Sequence, residues 1–247
     1  MRTANPALND KTFERYADYA DDTRMTLSGT VNKTGLLLLI CMVPATWIWN
    51  QVFATGDMAS VQGWLIGGAI GGFIVAMVTV SKPTWSPMTA PLYAALEGLV
   101  LGAISAFAER YYPGIVIQAV ALTFGTLFCL LFAYRSGLIQ ATENFKLGVV
   151  AATGAVAMVY MASIILGMFG VAIQFIHDAG PIGIVISLVI VVIAALNLVL
   201  DFDFIEQGVE RGAPKYMEWY ASFGLMVTLV WLYLEILRLL MKLRSRD

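Results

Sequence analysis

Three carboxylates lie inside long hydrocarbon runs: Glu97 in "ALEGLVLG", Asp201 at the end of "VISLVIVVIAALNLVLD", and Glu235 in "LVWLYLEILRLL". An ionisable side chain within a bilayer costs about 2.5–3.5 kcal/mol on insertion scales, so each is a functional candidate by default. Glu97 is the deepest, with no opposite charge within a helical turn. It reads equally as a protonated acid hydrogen-bonded inside a bundle or as a proton or cation ligand. Asp201 continues a stripe: Ser187, Ala194, Asn197 and Asp201 fall within ~80° on a helix. A small-or-polar stripe on an apolar helix should face protein or water, not lipid. Asp203 and Glu206 point elsewhere, as expected of a helix end reaching water. Asp203 and Asn197 remain supporting residues for Asp201. Glu235 precedes Arg238 by three residues, a spacing that pairs acid and base on one helix face. Arg238 then either neutralises Glu235 locally or holds it ionised for a second acid or a cation.

Two carboxylates brought together cannot both ionise cheaply, so such a pair becomes a proton-sensitive latch. Carboxylate pairs also suit hard cations, which makes calcium at Asp201 and Glu235 the metal this chemistry allows. Other chemistries lack their residues. The chain contains no H-E-x-x-H or C-x-x-C spacing, and its single histidine, His177, falls in a connecting "FIHDAGPIG". Cys41 and Cys129 both sit in apolar runs and are expected to pack rather than pair. Intramembrane aspartyl and serine proteases need a Gly-x-Gly-Asp or a Ser–His pair that the chain does not supply. A retinal Schiff base needs a lysine near the middle of the last helix, and Lys242 is at its end. No enzyme activity and no resident cofactor are expected.

The elements that position these acids follow from composition. The 247 residues are 59% hydrophobic and 13% charged, half the charge of a typical soluble domain, so a polytopic membrane protein is expected. The net charge of −2, with no basic block, gives nucleic-acid binding no support. Seven segments are long and apolar enough to cross: residues 35–53, 63–81, 89–108, 114–134, 147–170, Pro181 to beyond Leu200, and 219–243. The expected fold is therefore all-α, with seven antiparallel spans over residues 34–247 joined by short connections, after a polar segment at 1–33. Residues 6–28 of that segment are compatible with a short surface helix presenting Phe13, Tyr16 and Ala20. The segment does not read as a secretory signal, and the first span is expected to direct insertion. Placing the N-terminus inside puts ten basic residues on the inner side, from Arg2 to Lys215, against five outside, four of them in the tail from Arg238 to Arg246. N-inside is expected, although the basic tail opposes it. A re-entrant seventh helix would return that tail inside; seven full crossings are favoured. Small residues mark close contacts: Gly63, Gly67 and Gly71 with Gly68 and Gly72 beside them, then Gly98 and Gly102. Tight packing and a smooth sliding helix both fit this pattern.

Read together, "APLYAALEGLVLGAISAF", "YYPGIVIQAVALTFG", "GPIGI", "ALNLVLDFDFIEQG" and "GAPKYMEWYASFGLMVTLVWLYLEILRLL" resemble the Bax inhibitor family of seven-helix membrane proteins, most closely its bacterial, YccA-like branch. The resemblance implies a central seventh helix wrapped by the other six. It also implies location in a bacterial cytoplasmic membrane and, in conducting members, a pH-sensitive calcium leak. Two acids on the sixth and seventh helices form the pH-sensing dyad of those members. By motif, Asp201 matches the first, and Glu235 in "LYLE" matches the second in "LYLD". The chain departs from the pattern in two respects. Its seventh-helix acid is Glu, and 34 residues separate it from Asp201. A simple hairpin would offset their depths by roughly 16 Å. A break near Gly224 would remove the mismatch; otherwise Glu97 becomes the better partner for one of them. The rival expectation is a non-conducting regulator that binds another membrane protein, since the family is linked to cell-death control and membrane-protease regulation.

Overall fold

A computed structural model describes residues 24–170 and 180–245. His177 and residues 6–23 of the expected surface helix lie outside the described residues. Seven helices among the described residues are long and apolar enough to span a bilayer. They are α1 (Leu27–Thr55), α2 (Ala59–Ser81), α3 (Ser86–Tyr111), α4 (Ile115–Arg135), α5 (Glu143–Met168), α6 (Pro181–Glu210) and α7 (Met217–Arg244). All seven expected spans are present. Strands are absent from the described residues, apart from one isolated antiparallel bridge between Arg24 and Pro214.

Local signals set the helix ends. Thr26 caps α1 by accepting from the Gly29 amide at 3.1 Å, which starts the helix inside the polar N-terminal segment. Gly56, at φ 67°, closes it in the left-handed conformation that a β-carbon disfavours. Thr142 caps α5 in the same way through the Phe145 amide. Pro44 and Pro91 stand inside α1 and α3. The seventh helix runs unbroken through Gly224, so the break that would have levelled Asp201 with Glu235 is not formed. Glycine in a buried helix costs only about 1 kcal/mol, too little to interrupt one whose neighbours on both sides are buried.

The chain divides into two compact units. One contains α1, α2, α3, the end of α6 from Asp203 and the start of α7 to Val227; the other contains α4, α5, α6 to Phe202 and α7 from Thr228. In the first unit α3 packs against both α1 and α2. Ile48, Val52, Val61, Ala103 and Ala106 form the buried cluster between them. Membrane burial is uneven along the chain. In its most apolar stretch α5 buries 6% of residues, whereas α7 buries 67%. From Met217 to Leu237, α7 has no exposed residue, the burial expected of a central helix.

The glycine stripe of α2 needs correction. Gly63 and Gly67 meet nothing, whereas Gly71 of the same stripe meets the Leu96 side chain of α3; the closest approach is made by Gly68 and Gly72 beside it, both buried. A β-carbon on Gly68 would lie 2.9 Å from the Leu96 carbonyl oxygen. Four-residue spacing identifies a face but does not choose between two adjacent stripes. Gly68→Ala is therefore expected to lower the melting temperature in detergent. Gly63→Ala should leave it unchanged or raise it, because alanine favours a helix by about 1 kcal/mol. Equal effects would show that the α2–α3 contact is misplaced. The cysteines are also unequal: both are free, but only Cys41 is buried, while Cys129 is exposed.

Candidate functional site

The acid on α7 is held by four bonds. Glu235 Oε1 accepts from the Tyr160 hydroxyl at 2.8 Å, from Trp231 Nε1 at 3.3 Å and from an Arg238 guanidinium nitrogen at 3.1 Å. Its Oε2 accepts from the same nitrogen at 3.1 Å. Helical periodicity brings Trp231 and Arg238 to it, four residues before and three after. Tyr160 comes from α5 and also accepts a hydrogen bond from Arg238, whose guanidinium lies 5.2 Å from the Tyr160 ring centroid. The Glu235 side chain is 2% exposed and that of Arg238 37%. The expected i,i+3 pair is thus formed, with a tyrosine that helix spacing within α7 could not reveal.

Asp201 has no exposed surface. The stripe leading to it is buried throughout: Ser187, Ala194 and Asn197 all face protein. Asn197 donates to the Thr153 hydroxyl at 2.8 Å and to the Ile193 carbonyl at 2.8 Å. Ser187 accepts from Lys242 at 2.9 Å, and Lys242 also donates to the Gly183 carbonyl at 3.1 Å. Lys242, read from sequence as part of a basic tail, is buried against α6 instead. Asp203, half-buried, accepts from Gln207 at 2.7 Å one turn later.

Asp201 is nine residues from the end of α6 and Glu235 eighteen from the start of α7. With α7 unbroken, a rise of 1.5 Å per residue keeps straight helices from levelling them, leaving about 14 Å of offset. Among the described residues the hydrogen bonds of Glu235 come from Tyr160, Trp231 and Arg238, and Asp201 is not one of these partners.

Glu97 lies in the other unit, half-buried on α3. Tyr93, one turn earlier, donates to it, and a β-carbon on Gly72 of α2 would sit 3.4 Å from its Oε2. The Tyr93 ring stands edge-on to Phe223 of α7, with centroids 5.0 Å apart. Glycine on α2 and tyrosine on α3 thus make the room and the bond for this acid.

A fourth acid escaped the sequence reading. Glu218, in the first turn of α7, is completely buried. Its Oε1 accepts from the Thr26 amide and hydroxyl, both at 2.8 Å, and Lys215 lies 3.1 Å away. Its Oε2 accepts from Lys33 of α1. The Met25 amide donates to the Ala213 carbonyl at 2.7 Å beside it. Glu218 thereby caps the start of α1 from another helix, where the helix dipole favours negative charge. The available signal was an acid in a first turn three residues after Lys215.

Seven spans, an α7 that is two-thirds buried and a buried acid on each of the last two helices set the terms for comparison with known families. The Bax inhibitor 1 like family model matches residues 5–245. The chain belongs to that family. Searches of curated proteins and of solved structures gave no match. As a family member with seven helices long and apolar enough to cross a bilayer among the described residues, it is an integral membrane protein. Among the described residues no three of His, Cys, Asp and Glu gather as a metal-binding group. A calcium ion at Asp201 or Glu235 would need hydroxyls, carbonyls or water for most of its six to eight oxygens.

Proposed function

We propose that this Bax inhibitor family protein is a cation leak controlled by protonation, with calcium as the cargo and Asp201, Glu235 and Glu97 as the proton- and ion-sensing acids. The observation that carries the reading is the burial of Asp201 and Glu235, each on a membrane-spanning helix. Burial raises the cost of charge on a carboxylate, so its proton occupancy responds to the surroundings. Asn197, Asp203 and Arg238 shape those surroundings. Calcium is a passing substrate that exchanges water for one carboxylate at a time. The proposed site of action is a bacterial cytoplasmic membrane with the N-terminus inside. Burial of Lys242 supports that orientation, because it removes one charge from the opposing basic tail.

The test is calcium flux in proteoliposomes over a pH series. Asp201→Asn and Glu235→Gln imitate the protonated acids and should flatten the pH dependence toward its low-pH level. Unchanged pH profiles in both variants would exclude these acids as sensors.

One observation favours a second reading, a regulator that binds another membrane protein without conducting. Three donors making four hydrogen bonds to Glu235 are what a purely structural acid would show. Co-purification of a membrane partner that survives neutralisation of all three acids, with no flux, would select it.

A further inference from the structure

We propose that Arg238 is a tethered cation occupying the ion site at Glu235, and that it must swing away before a divalent cation can bind there. This rests on the leak reading and specifies the step at which the site opens. An ionised carboxylate offers about four lone-pair positions. At Glu235 both oxygens are engaged: Oε1 accepts from Tyr160, Trp231 and Arg238, and Oε2 from the same Arg238 nitrogen. A free cation that binds both oxygens must displace the guanidinium, which touches each of them. Tyr160 and Trp231 are neutral and would leave an incoming cation unopposed; the guanidinium both blocks two positions and repels a second positive charge. Arg238 is also the donor with a way out. Its side chain is 37% exposed while that of Glu235 is 2% exposed, so the arginine reaches the protein surface and the carboxylate does not. A long arginine stem can carry its charge outward to the membrane interface. The Tyr160 hydroxyl, bonded to both groups, then keeps one bond to Glu235 after the arginine leaves. Four residues thus form a closed site whose resident cation is part of the chain.

The test uses purified full-length protein in nanodiscs and calcium alone, with binding read by equilibrium dialysis and by tryptophan fluorescence. Arg238→Gln is expected to bind calcium about tenfold more tightly than wild type, the worth of one displaced charge-assisted hydrogen bond at a partly exposed site. Adding Glu235→Gln should abolish that gain. Arg238→Lys keeps the positive charge and should stay near wild-type affinity. Tyr160→Phe, which leaves the guanidinium in place, should not tighten binding. Equal affinity of Arg238→Gln and wild type, or equal tightening by the Gln and Lys variants, would overturn the proposal. Should Arg238→Gln fail to fold, Arg238→Met with the same Lys control decides by the same criterion. These are binding measurements, so a wild type that shows no flux defeats the leak reading while leaving this result to be judged separately.

Discussion

Gly98→Val is expected to separate α1 from α3 and to lose at least about 3 kcal/mol of stability, the upper part of the range for overpacking. A β-carbon at Gly98 would fall 2.2 Å from the Cys41 carbonyl oxygen and 2.6 Å from Pro44 Cγ. Neither atom can yield cheaply. The carbonyl belongs to the α1 backbone, and the proline ring is fixed. Gly102 repeats the contact one turn later, 2.6 Å from the Ala45 carbonyl oxygen. Two glycines at four-residue spacing therefore let the backbones touch, which is how helices gain contact where lipid offers no hydrophobic driving force. The measurement is thermal unfolding in detergent, followed by loss of the monodisperse peak on size exclusion. Gly125→Val, whose β-carbon would meet open space, is the control and should leave the melting temperature nearly unchanged. A Gly98→Val protein that melts with the control would refute the α1–α3 packing.

Glu218→Ala should be comparably damaging, on the order of 3 kcal/mol, because it leaves charge without its partner. Lys33, 17% exposed at its side chain, would lose its carboxylate, and the Thr26 amide its acceptor. The arrangement admits no bulk: a β-carbon on Gly29 would lie 2.3 Å from Glu218 Oε1. The diagnostic experiment is a double-mutant cycle. Lys33→Met in the Glu218→Ala background should recover part of the loss, because it removes the stranded ammonium. Strict additivity of the two substitutions would show that the pair does not interact.

Much of this arrangement was legible in the sequence, for identifiable reasons. The seven spans follow from run length alone, since ~20 apolar residues have few other uses. The burial of Asp201 followed from the stripe at Ser187, Ala194 and Asn197, because 3.6-residue periodicity fixes a face within one helix. The Glu235–Arg238 pair was visible for the same reason. What escaped detection depends on contacts between helices. Glu218 meets Lys33 across 185 positions, and Tyr160 meets Glu235 across 75, separations that carry no periodic signal. The glycines of α2 show the middle case: their period was readable, but the choice of Gly68 and Gly72 over Gly63 and Gly67 depends on where α3 lies. Whether a break near Gly224 would level the two acids could not be read from the sequence, because one glycine costs a helix only about 1 kcal/mol and burial of its neighbours outweighs that. Glu235 finds Tyr160, Trp231 and Arg238.

The central claim is that the buried acids of α6 and α7 control a cation leak. Its most direct test is calcium entry into dye-loaded proteoliposomes of the wild-type protein, compared with empty vesicles as the external pH is stepped. The account predicts entry above the empty-vesicle level that changes with pH, and that loses this dependence when Asp201→Asn and Glu235→Gln are combined. Entry indistinguishable from empty vesicles at every pH would contradict it.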